Sequence, residues 1–90
     1  MTLDFEWDAA KAEANEAKHG VPFEVAKRVF DDSACVVLED ARQDCGEERF
    51  VALGMINGRI YVIAFTWRGE TCRIISARKA NAREIRWYRR

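Results

Sequence analysis

The sequence predicts an α+β domain of order β-α-α-β-β-β-β-α, in which two N-terminal helices and one C-terminal helix pack against an antiparallel meander sheet. Three observations predict it. An alanine-rich helical run lies between Asp8 and Gly20, and strand-like segments follow one another across two short turn signals, Asn57-Gly58 and Arg68-Gly69. A capping-box pair, Asn81 and Glu84, then opens a last basic segment. A chain of 90 residues supports one core, so residues 1–90 are read as a single domain.

Each element follows from local pattern. "LDFEW" (Leu3 to Trp7) alternates apolar and acidic residues and predicts a short strand with Leu3, Phe5 and Trp7 on one face. Asp8 is a natural N-cap for "AAKAEANEAKH", which stops at Gly20, the residue suited to the left-handed position after a helix. Pro22 fits a first helical turn, and Phe23, Ala26, Val29 and Phe30 recur at three- and four-residue spacing, predicting a second helix over 22–30. "CVVL" (35–38), "RFVALGMI" (49–56), "RIYVIAFTW" (59–67) and "TCRIISA" (71–77) read as four strands, and the last helix runs from Ala82 to the chain end.

Composition excludes several classes. At 49% apolar and 33% charged, the chain is neither disordered nor fibrous. Its acidic start lacks the basic, apolar pattern of a signal peptide, and no apolar run reaches a membrane-spanning length, so a cytoplasmic location without membrane contact is expected. Cys35, Cys45 and Cys72 are odd in number and widely spaced, which fits reduced thiols better than a disulfide framework or a metal site. The zero net charge conceals a polarity. Residues 1–67 hold seven Lys/Arg and thirteen Asp/Glu, whereas residues 68–90 hold eight Lys/Arg against Glu70 and Glu84.

The turns set a register and the register sets the faces. With Asn57-Gly58 and Arg68-Gly69 as the central turn residues, alternation places Arg49, Val51, Leu53, Val62, Ala64, Thr66, Thr71, Arg73, Ile75 and Ala77 on one face. The other receives Phe50, Tyr61, Ile63, Phe65, Trp67, Cys72, Ile74, Ser76 and Arg78. Arg49 and Arg73 then lie roughly 11–12 Å apart at the backbone, offset by one pair, a gap two arginine side chains close onto one phosphate. The competing expectation pairs each with a carboxylate, Arg49 with Glu47 or Arg73 with Glu70. His19, the single histidine, sits where a helix dipole favours its charged form; it is read either as a C-terminal cap or as a proton-transfer group.

The blocks "FEWDAAKAEANEAKHGVPFEVA", "EERFVALG" and "RIISARKANAREIRWY", spanning Phe5 to Tyr88, resemble the BrnT family of type II toxins. The resemblance implies a RelE-like fold, a metal-free ribonuclease without cofactor, and inhibition by a BrnA-like antitoxin, commonly in a heterotetramer whose antitoxin alone binds operator DNA. The family's Lys-His-Gly step falls on Lys18, His19 and Gly20, its Glu-Arg-Phe step on Glu48, Arg49 and Phe50. Its Arg-Gly turn falls on Arg68 and Gly69, and its last strand on Arg73 to Arg78. The loop from Glu39 to Gly46 matches nothing in it.

For such chemistry, Arg49 and Arg73, assisted by Arg68 or Arg78, would hold the phosphate, and His19 or Glu70 would move the proton. Lys18, Lys79, Arg83 and Arg86 would steer the RNA backbone. A second reading makes the basic end a non-catalytic module for nucleic acid or protein, with Trp67, Trp87 and Tyr88 available for stacking. A third, compatible with the first, makes it the antitoxin's docking surface.

Overall fold

The computed structural model describes residues 3–40 and 48–90. Its elements are β1 (Asp4–Glu6), α1 (Ala9–His19), α2 (Phe23–Ala26), a 3₁₀ turn (Lys27–Asp31), β2 (Val36–Asp40), β3 (Arg49–Ile56), β4 (Arg59–Arg68), β5 (Thr71–Lys79) and α3 (Ala82–Tyr88). The expected Cys45 loop and the expected Glu47 partner of Arg49 fall outside the described residues.

Helix boundaries follow the capping chemistry. The Asp8 carboxylate accepts the Lys11 N–H at 3.0 Å, and Gly20, at φ 72°, closes α1 in the left-handed conformation. The second helix is shorter than its periodicity predicts: after Ala26 it tightens into the 3₁₀ turn. That turn seats Val29 against Gly54 of β3, where a Cβ would stand 2.6 Å from Val29 Cγ1 and 2.8 Å from its carbonyl oxygen. Only glycine admits so close an approach.

The sheet corrects the antiparallel expectation. Its strand order is β1-β5-β4-β3-β2, with antiparallel ladders everywhere except at one edge, where β1 runs parallel to β5. Alternation in "LDFEW" identifies a strand but carries no information about its neighbour or direction. The helical crossover that follows β1 is what permits parallel pairing.

The last hairpin also differs from expectation. Arg68 pairs with Thr71, so Gly69 and Glu70 are the central residues, and only Gly69 has positive φ, 63°. A turn with glycine first matches strand twist; arginine in that position would be strained. The Asn57-Gly58 turn forms as read, at φ 50° and 82°. Farther along β5 the register shifts: Phe65 pairs with Ile74 but Ala64 pairs with Ser76, leaving Ile75 as the extra residue of a bulge. The bulge exchanges faces beyond it. Ala77 therefore joins the core face, and Ser76 and Arg78 join the face of Ala64 and Arg73, the reverse of strict alternation.

The α1, α2 and 3₁₀ layer covers the core face, where Val21, Phe23, Ala26 and Val29 pack on Ala52, Ile63, Phe65, Cys72, Ile74 and Ala77. α3 lies on the opposite face, above the buried Leu53, Ile60 and Val62. Its far end is tied down by the Tyr88 hydroxyl, which donates to Asp32 at 2.5 Å; the same carboxylate accepts the N–H groups of Ala34 and Met55 at 2.9 and 2.8 Å. These three donors hold the Asp32 carboxyl below its ordinary range, Tyr88 contributing most. No helix among the described residues is long and apolar enough to cross a membrane.

Candidate functional site

The face that carries α3 also carries a row of polar side chains crossing all five strands. Glu6 pairs with Arg73, Arg73 with Thr66, and Asp40 with Arg49; the β3–β4 register, continued one step beyond Phe50 and Phe65, sets Arg49 beside Thr66. Across the sheet the row reads Glu6, Arg73, Thr66, Arg49, Asp40. Because Thr66 pairs directly with Arg73, the one-pair offset expected between the arginines disappears, and their backbones stand two strand spacings apart, roughly 10 Å.

The two arginines differ in what they touch. Arg73 Nη1 donates to Glu6 Oε2 at 2.7 Å, a carboxylate partner other than the Glu70 expected from sequence. Arg49 Nε is buried and has no hydrogen-bond partner among the described residues. A buried guanidine N–H without an acceptor is costly, which marks Arg49 as a donor that no described residue of the chain satisfies. Thr66, between them and only 3% exposed, is satisfied by donating to the Glu48 carbonyl at 2.5 Å.

Below the row, a groove of about 550 Å³ runs toward α3, floored by Val51, Val62, Ala64 and Ser76 and walled by Leu38, Arg78, Arg83 and Trp87. Arg78 reaches this side only because of the bulge. Its guanidinium makes a two-pronged contact with Glu84, at 2.8 Å to Oε1 and 2.7 Å to Oε2, while Glu84 Oε1 also accepts the Asn81 N–H at 2.9 Å. Arg78 holds the Glu84 carboxyl below its usual range, and Glu84 in turn raises Arg78. Arg83 stacks 5.0 Å over the Trp87 ring, and the outer surface of α3 gathers Arg83, Arg86, Arg89 and Arg90.

Other residues expected at the site lie apart from the row. Arg68 ends β4 and Glu70 is exposed in the adjoining turn. Lys79 pairs with Tyr61 and belongs to the opposite face from Arg78. Lys18 and His19 end α1. α1 meets the sheet through Asn15, whose amide pairs with both backbone groups of Ala77, so His19 lies a further helical turn away and roughly 15 Å from the arginine row. Burial pushes the Cys72 thiol up to about 12 and the Cys35 thiol up to about 11, which removes both as thiolate nucleophiles near neutral pH. No cluster of three or more His, Cys, Asp or Glu among the described residues is placed to hold a metal ion.

Sequence reasoning missed two residues here. Glu6 joins the row only through the parallel β1–β5 pair, which local pattern does not reveal. Asn15 gave a better signal, as the one polar amide inside an alanine-rich helix.

No curated protein matches the chain. A family model described as the ribonuclease toxin BrnT of a type II toxin–antitoxin system matches residues 7–84. That span takes in the helical layer, both arginine-bearing strands and the opening of α3, and on the strength of it the chain belongs to the BrnT family of type II toxin–antitoxin ribonuclease toxins.

Proposed function

We propose that the chain is a RelE-like endoribonuclease that cleaves RNA without a metal ion, by attack of a ribose 2′-hydroxyl on the adjacent phosphorus. The observation that carries this reading is the row in which Arg49 and Arg73 flank Thr66 on one face, with Arg49 Nε buried and without a partner among the described residues. Guanidinium groups stay charged at working pH and offer planar donors to phosphoryl oxygens, so the row can bind the scissile phosphate and stabilise charge as it develops. Arg68, at the end of β4, assists from the same end of the sheet. Arg78, paired with Glu84, fixes the far wall of the groove, and Arg83 and Arg86 steer the RNA backbone across it.

A type II toxin family implies an antitoxin partner. We assign that role to a BrnA-like antitoxin that assembles with the chain in a heterotetramer in the cytoplasm and supplies the contact to operator DNA. The arginines around Trp87 on α3 favour this surface as its docking site, by charge complementarity with an acidic segment. The same surface supports the rival reading, a non-catalytic binding module. Incubation of the purified chain with a model RNA in EDTA separates the two: cleavage to fragments with cyclic or 3′-phosphate ends is expected, and RNA shifted intact would favour the binding module.

A further inference from the structure

We infer that Glu6 takes the proton of the attacking 2′-hydroxyl, an assignment that rests on the ribonuclease reading above. Glu6 lies just outside the span matched by the family model and reaches the site through a contact 67 residues distant in sequence. Three observations point to it.

The first is place. Glu6 pairs with Arg73 across the parallel β1–β5 ladder and so shares its face; Oε2 accepts from Arg73 Nη1 at 2.7 Å. A phosphate held by Arg73 puts its neighbouring ribose hydroxyl beside this carboxylate. Oε2 is engaged by Arg73, while Oε1 has no partner among the described residues and remains able to accept a proton.

The second is rigidity together with access. Alternation in β1 turns Phe5 and Trp7 the other way, where Phe5 packs on Phe30 at 5.5 Å and Trp7 meets Phe23 edge-on at 5.9 Å. These aromatic contacts fix the backbone on both sides of Glu6. Its own side chain is 40% exposed, which leaves it open to substrate.

The third is that the other candidates are engaged or placed elsewhere. Glu84 is occupied by Arg78 and Asn81, Glu70 stands in the exposed turn, and His19 closes a helix roughly 15 Å away. Asp40 stands at the opposite end of the row, beside Arg49.

The step balances without a co-reactant other than water. The O2′–P bond forms as Glu6 receives the O2′ proton, the P–O5′ bond breaks, and the leaving 5′-oxygen takes a proton from water. The products are a 2′,3′-cyclic phosphate and a 5′-hydroxyl, and Glu6 returns its proton to solvent. The charged groups around Glu6 are Arg73 of β5, Asp4 and Asp8 on its own segment, and the Glu24–Lys27 ion pair across the cleft beside β1.

The test uses the full chain and a short model RNA, with kcat, KM and the pH dependence of the rate measured for wild type, Glu6→Gln and Glu6→Asp. Glutamine keeps an oxygen for Arg73 but cannot serve as the base. Glu6→Gln is expected to lower kcat about 100-fold or more with KM nearly unchanged and to abolish the acid limb of the pH profile, and Glu6→Asp to recover part of the rate. Wild-type kcat in Glu6→Gln, or a rise in KM with kcat retained, overturns the assignment while leaving the ribonuclease reading standing. Should Glu6→Gln fail to give a native circular dichroism spectrum, the wild-type profile decides: an acid limb of unit slope supports a carboxylate base, and a flat profile overturns it. No cleavage by the wild-type chain would remove the ribonuclease reading and this inference together.

Discussion

Arg78 and Glu84 are joined by two hydrogen bonds, 2.8 and 2.7 Å long, and through them the last strand grips the first turn of the last helix. Glu84 also completes the capping box with Asn81, so one carboxylate fixes both the start of α3 and its attachment to the sheet. At the other end of α3, Asp32 and Tyr88 do the equivalent.

Both carboxyls titrate below their ordinary values, 4.5 for Glu84 and 3.8 for Asp32. A depressed folded-state value means the unfolded chain binds more protons, so the stabilisation is complete above the ordinary values and is lost as pH falls below them. Denaturant midpoints measured from pH 7 down to pH 3 should therefore fall steeply below about pH 4.5. Glu84→Gln and Asp32→Asn should each flatten that fall, and Glu84→Gln should cost about 1 kcal/mol at pH 7, the scale of a partly exposed ion pair.

Asn15 acts as a one-residue strand at the edge of β5. Its Nδ2 donates to the Ala77 carbonyl at 2.9 Å and to the Val21 carbonyl at 3.3 Å, and its Oδ1 accepts the Ala77 N–H at 3.1 Å. β1 has ended by that row, and the amide completes the edge. Asn15→Leu should destabilise by about 2–3 kcal/mol, since Ala77 would bury both backbone groups unpaired. Asn15→Asp should also destabilise, because a carboxylate accepts the N–H but cannot donate to the carbonyl. Chemical denaturation reads both.

Gly54→Ala should destabilise by about 1–3 kcal/mol, through overpacking against Val29. The expected clash involves a backbone oxygen as well as a side chain, so the paired variant Gly54→Ala/Val29→Ala should recover only part of the loss. Thermal melts of the two variants check this.

Much of the fold was legible locally. Asp8, Gly20, Asn57-Gly58 and the Asn81/Glu84 pair fixed their boundaries because capping and turn chemistry are local. What could not be read depended on distant contacts. The direction of β1 depends on a crossover, and the 3₁₀ turn depends on Gly54 some two dozen residues later. The bulge at Ile75 carries no local mark, yet it decides which face receives Arg78. The candidate site was legible to the same degree: Arg49 and Arg73 share a face because their stretches of strand precede the bulge, and the place of Glu6 beside Arg73 was hidden because β1 pairs in parallel. The turn at Gly69 was misread by one residue, although glycine's tolerance of positive φ in the first central position was available in the sequence.

The central claim is that the arginine row holds the scissile phosphate, and the most direct measurement is single-turnover cleavage of a model RNA by Arg49→Ala and Arg73→Ala, each with a native circular dichroism spectrum. Losing one preorganised charge stabiliser should slow the reaction about 10²–10³-fold in either variant, with intact binding of folded chain to its antitoxin. Wild-type rates in both variants would contradict the account.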